Sequence, residues 1–234
     1  SNADLDALCQ KIQDGGVSPI MFTGVDWSLG SHFLSQVFNG IQGDEEAQKA
    51  FIESVKDGSA ELKTNDAWNG VMDTFDIIAK YNYNSNDPLV GNTELDGQAM
   101  AKGDVAMWFM GDWGWSYLEA VANADDEYGI MPCPLTGSED DAVNQELGVF
   151  PAKGYCVDGS QNDEAQQAAG KKLVDYLTIE RAQDMSDALS IALPFKNVDV
   201  TVASPLANAT QAYVADGKVQ STYAFSALLP SDFW

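Results

Sequence analysis

The chain is short of most of the groups that perform chemistry. It has one histidine, His32, and three cysteines. No cysteine lies near His32 in sequence, so the two residue types cannot share a metal site there. General base or triad member remain open to His32, beside the plainer reading of a helix-surface or core residue. Cys9, Cys133 and Cys156 are odd in number, far apart and without zinc-like spacing. At most one pair could bridge, and three buried free thiols is the expectation. There is no G-x-S-x-G elbow and no Walker-type phosphate loop. Gly111-Asp112-Trp113-Gly114 is not a dinucleotide fingerprint, because bulky residues stand where backbone must approach a pyrophosphate.

Positive charge is equally scarce. Twelve Lys and Arg face 36 Asp and Glu, a formal charge of −24. Phosphate backbones and anionic lipid repel such a surface, which excludes nucleic acid as the main partner. No apolar run approaches the ~18 residues of a membrane-crossing helix. What the chain does have is a core: 45% of its 234 residues are hydrophobic, enough for one large domain or two lobes. The acidity therefore belongs to the surface and is no sign of disorder.

Periodicity places the elements. Ser1-Asn2-Ala3 reads as the scar of a removed tag. Leu5, Leu8, Cys9 and Ile12 predict a helix that Asp4 can cap and Gly15-Gly16 stops. Val17 to Phe22 is a buried strand. Helices follow over 27–39, 44–56 and 65–81, the last the clearest, with Trp68, Val71, Met72, Phe75 and Ile78 on one side. Residues 82–97 read as a polar Asx-rich loop. Their spacing departs from a calcium loop, whose glycine and closing glutamate are out of place. A strand at 105–109 leads into a turn, Gly111 to Trp115, that opens a helix to about 123. Short strands are expected at 128–132 and, around Pro151 and Gly154, within 147–157. Helices 163–177 and 179–189 meet at Thr178, with Ala165, Ala168, Ala169, Leu173, Val174 and Leu177 inward, and a last helix covers 205–215. Alternating strands and helices argue for α/β, with helices packed on a small mixed sheet.

The aromatics carry the functional signal. Five of six tryptophans precede residue 116, and Trp108, Trp113 and Trp115 are clustered. Trp68 and the strand residue Trp108 are expected in the core. Trp113 and Trp115 sit at a strand-to-helix turn, where side chains can face a cleft at a sheet edge. An indole face stacks on the C–H face of a pyranose while nearby carboxylates and amides bond its hydroxyls. With 36 acids and no reason to pair any two, a two-carboxylate glycosidase has no specific support, though counting does not exclude it. A non-catalytic surface module that binds protein through its tryptophans is a third reading.

Four stretches then add a resemblance. They are Asp4 to Ile12 with Gly16-Val17-Ser18-Pro19-Ile20; Met100-Ala101-Lys102-Gly103-Asp104-Val105-Ala106-Met107 followed by Gly111-Asp112-Trp113; Tyr128-Gly129-Ile130-Met131-Pro132; and Ala165 to Thr178 with Glu180 and Leu193-Pro194. In this order they resemble the family 1 extracellular solute-binding proteins of ABC importers, the maltose-binding-protein-like group, and the second stretch is the most specific.

The resemblance implies a periplasmic-binding-protein-like (type II) fold, two hinged α/β lobes closing on a sugar that a membrane permease imports. It implies a second lobe over 4–145, a first-lobe return segment over 146–200, and re-entry into the second lobe over 201–234. Most of the first lobe, and a tail beyond Trp234, would then be missing. It further implies that Trp113, its neighbour Trp115, Asp26, Trp27 and Trp234 bind ligand. The partners implied are a sugar or oligosaccharide and the ABC permease subunits. No catalysis, cofactor or metal is implied. The expected location is extracellular, in the periplasm or on the cell surface through a lipid anchor that this chain does not carry.

Overall fold

The structure is a computed structural model that describes residues 1–25, 27–42, 44–123, 125–149, 154–195 and 197–221, with Trp27 as backbone alone. Helix α1 (Asn2–Asp14) begins at Ser1, whose hydroxyl and the Asp4 carboxylate form a reciprocal capping box. The cap is thus Ser1 and not Asp4, and the residues set aside as a scar complete the first helix. Leu5 and Cys9 turn inward, and Gly16, at φ +86°, makes the left-handed turn into strand β1 (Ser18–Met21).

After β1 the chain enters a π-helix, Trp27–Phe33, and then α2 (Gln36–Ile41). The single α-helix expected over 27–39 is therefore two segments of different winding. Asp44 caps α3 (Glu45–Lys56) and Asn65 caps α4 (Asp66–Tyr81) by accepting from the Ala47 and Trp68 amides. At the end of α4 the chain meets the sheet: the Tyr83 amide donates to the Ile20 carbonyl at 2.8 Å. The Asn82 side chain closes a two-bond ring with the Phe22 backbone, at 3.1 and 2.8 Å.

The Asx-rich loop is shorter than expected. Asn92 caps α5 (Thr93–Ala101), a helix that the polar reading of 82–97 had overlooked. Strand β2 (Val105–Trp108) pairs in parallel with β1, Ile20 opposite Met107. A 3-10 turn, Asp112–Gly114, passes directly into α6 (Trp115–Leu118), which stops short of the expected 123. Residues 128–132 run without a strand partner, so the strand expected there is absent.

Strand β3 (Leu147–Val149) pairs in parallel with β4 (Val219–Ser221). The second strand expected in 147–157 is not formed over 154–157, and 150–153 lie outside the described residues. Helix α7 (Glu164–Asp175), the π-helical stretch Tyr176–Glu180, α8 (Ala182–Leu189) and α9 (Pro205–Ala215) complete the order. The fold is mixed α/β, as expected. Among the described residues the sheets are two parallel pairs rather than one small mixed sheet.

One core dominates. Phe22, Phe33, Val37, Phe38, Ile52, Val71, Ile78 and Leu135 are buried in a single cluster, with Trp68 packed on its border. Phenylalanines pack ring against ring in it and on its border, edge to face or tilted. The Phe33 ring lies 5.7 Å from Phe22 and 5.2 Å from Phe109, and 5.5 Å from Phe75. Such pairs each add about 0.5–1.5 kcal/mol beyond their area. Gly70 lets α4 lie against the Leu135 carbonyl, which occupies the space a Cβ would need. Leu206 of α9 packs with Ala101 and Leu118, and Gln48 donates to the Ser221 carbonyl at 2.7 Å. Residues 205–221 are thereby tied to the body formed by 1–149.

Helix α7 differs. It has no buried residue. Ala165, Ala168, Ala169 and Leu173, expected inward, are exposed, and only Val174 and Leu177 of that face are half-buried. The periodicity marks an apolar face correctly, but nothing described packs on most of it. Cysteine also departs from expectation. All three thiols are free, yet only Cys9 is fully buried; Cys133 is half-buried and Cys156 exposed.

Candidate functional site

Both loops that follow the parallel strands at their carboxyl ends lead to one place. β1 runs through Phe22 into the π-helix that starts at Trp27. β2 runs through Phe109 into the Gly111–Trp115 turn. Phe22, in the core, and Phe109, packed against it, are 5.8 Å apart, so the two loops leave the sheet side by side. The crevice beyond the carboxyl ends of parallel strands is where α/β folds commonly bind ligands.

The loops meet through their side chains. The imidazole of His32 and the indole of Trp113 lie edge to face, with centroids 5.2 Å apart and planes at 64°. His32 is carried by the residue after it: Phe33 is 0% exposed, and the wider π-helical turn ends on it. π-helical turns of this kind are frequent at functional sites. Burial holds the His32 imidazole below its ordinary titration range.

The turn around Trp113 is fastened at each residue. The six-membered ring of Trp113 folds over Gly111, filling the space any other side chain there would need. Asp112 lies where α9 packs against the turn, and burial raises its carboxyl above the usual range. Gly114 admits Met110, whose Cγ would lie 2.8 Å from an added Cβ. Trp115 turns toward α9, 5.7 Å from the Tyr128 ring and against the cluster of Ala101, Leu118 and Leu206.

The sequence-predicted residues divide accordingly. Trp113 is half-buried at the mouth of the two loops. Trp27 opens the helix that brings His32 to it. Trp115 makes its ring contact with Tyr128 and packs as part of a hydrophobic cluster. Asp26 and Trp234 lie outside the described residues. Trp108 is half-buried and packs edge to face on Tyr117 at 6.2 Å.

His32 is the member of the site that sequence reasoning did not place there. Its only signal was its position in the loop after β1, within the helix begun by Trp27.

Buried acid lies close by as well. Asp96 of α5, 3% exposed, accepts a 2.7 Å hydrogen bond from the Thr23 hydroxyl, just beyond β1. Burial raises its carboxyl above the usual range. Among the described residues no group of three or more His, Cys, Asp or Glu is placed to hold a metal ion. The Asn and Asp side chains of 82–97 serve the backbone instead, Asn82 at Phe22 and Asn92 at the head of α5. Two open depressions lie away from Trp113. One, about 500 Å³, is lined by Met100, Lys102, Asp125, Asp126 and Tyr128. The other, about 490 Å³, is lined by Leu8, Ile12, Val17 and Ala106.

No protein-family model matches the chain, and no curated protein matches it.

Proposed function

We propose that this chain is the sugar-binding subunit of an ABC importer, with a periplasmic-binding-protein-like fold, acting outside the membrane by binding and not by chemistry. The observation that carries the reading is the convergence of the loops after β1 and β2 on a half-buried tryptophan. A fixed indole with an open part is a stacking platform for a pyranose. Trp113 is the platform, with Trp27 and Asp26 in the adjoining loop as further ligand contacts. Trp115 and Trp234 are further ligand contacts in this reading, as the resemblance implies.

In this reading the wall is one side of a cleft. A first lobe would supply the opposite side, and closure over the sugar would form the surface that docks on the permease. The uncovered face of α7 fits a segment that packs on another body, with Leu173 57% and Ile179, just beyond it, 62% exposed.

Calorimetric titration of the chain with D-glucose, maltose and maltotriose tests the reading, with incubation of p-nitrophenyl glucosides as the control for catalysis. Saturable binding without released nitrophenol is expected. Release of nitrophenol would replace the reading with a glycosidase, and silence to all three sugars would remove glucose and its malto-oligosaccharides as the solute.

A further inference from the structure

We infer that His32 is the positioning residue of the site: its imidazole, packed edge to face on Trp113, fixes the orientation in which that indole is offered to ligand. The inference deepens the sugar-binding reading and rests on it for the identity of the ligand.

Three observations converge. The Trp113 ring has Gly111 against its six-membered part, so one direction is closed by backbone. His32 closes a second direction, at 5.2 Å and 64°. The two partners are also fixed to each other from within. Phe33, next to His32 and fully buried, and Phe109, two residues before Gly111 and half-buried against the core, pack edge to face at 5.2 Å and 69°. The His32–Trp113 contact repeats that geometry between the same two segments, nearer the surface. An indole with a face in solvent is free to change rotamer unless its neighbours exclude the alternatives. His32 and Gly111 exclude them before ligand arrives, which removes that ordering cost from binding.

The chain holds a single histidine, so its ring protons can be followed without ambiguity. In the native chain a nuclear Overhauser cross-peak is expected between the His32 and Trp113 ring protons. Trp113→Leu should move the His32 resonances by removing the indole ring current. Trp113 emission, taken as the difference from Trp113→Phe, should be more open to acrylamide in His32→Ala and return to the native level in His32→Phe, which keeps an aromatic edge. With maltose as probe, His32→Ala should weaken binding by roughly three- to tenfold while His32→Phe stays near native.

Absence of the native cross-peak would overturn the inference, as would equal quenching in native protein and His32→Ala. Should His32→Ala fail to fold, the native cross-peak and His32→Phe still decide. If native protein shows the cross-peak but binds no sugar, the positioning contact stands and the carbohydrate reading falls.

Discussion

Phe33 and Phe109 meet edge to face at 5.2 Å, and one residue before Phe33 His32 meets Trp113 at the same distance. The first contact lies at the edge of the core and the second between two half-buried rings, and both join the loop after β1 to the loop after β2. Site and core are therefore one construction. What holds the two strands' carboxyl ends together also presents the indole.

The glycine beneath Trp113 gives the first prediction. Gly111→Ala places a methyl group where the indole ring lies, and the ring is the part able to move. Forced repacking of this kind costs about 1–3 kcal/mol. Urea denaturation followed by far-UV circular dichroism should show that loss, and the His32 ring resonances should move as Trp113 leaves.

Buried ionisable groups set opposite pH trends. His32 titrates lower in the folded chain than its usual 6.5 because it is desolvated. The unfolded chain therefore binds the proton first, and stability falls as pH drops through 6.5 toward the folded value. Thermal melts between pH 7.5 and 5 should show the decline, and His32→Phe should flatten it.

Asp96 acts in the other direction. Its carboxyl is raised above 3.8 by burial, so the folded chain holds its proton longer and stability is lost as pH rises through the folded value. Asp96→Asn keeps an acceptor for the Thr23 hydroxyl and removes the buried charge. The variant should be at least as stable as the native chain at pH 7 by urea denaturation, and less stable only if a charged carboxylate is required.

The thiols should react in order of access. Cys156 is exposed and open to a thiol reagent in the folded chain. Cys9 and Cys133 are pushed up to about 11 and about 12 by burial, with nearby Asp6 adding to the rise at Cys9. One equivalent of dithionitrobenzoate should react at once, the half-buried Cys133 more slowly, and Cys9 only in denaturant.

Legibility in the sequence followed how well side-chain pattern and burial agree. Helix α4 was plain because Val71 and Ile78 fall on its buried side at helical spacing, with Asn65 as an evident cap. Helix α5 was hidden because its pattern is reversed: Asp96 and Gly97 are buried while Leu95 is 58% exposed. The π-helix could not be read from a 3.6-residue period, since its wider turn shifts each following residue around the axis. Trp113 was legible as an aromatic at a strand-to-helix turn. His32 was not, because its contact joins two loops that only the pairing of β1 with β2 brings side by side. Face and cover parted company in α7, where the apolar stripe is real but what would cover it is not among the described residues.

The most direct test of the sugar-binding account is the affinity of Trp113→Ala for maltose, measured calorimetrically beside the native chain and with circular dichroism confirming the fold. Loss of the stacking face should weaken binding by about 1 kcal/mol or more. Unchanged affinity in a folded Trp113→Ala would contradict the account, because the ligand would then be held somewhere other than the turn on which both strands converge.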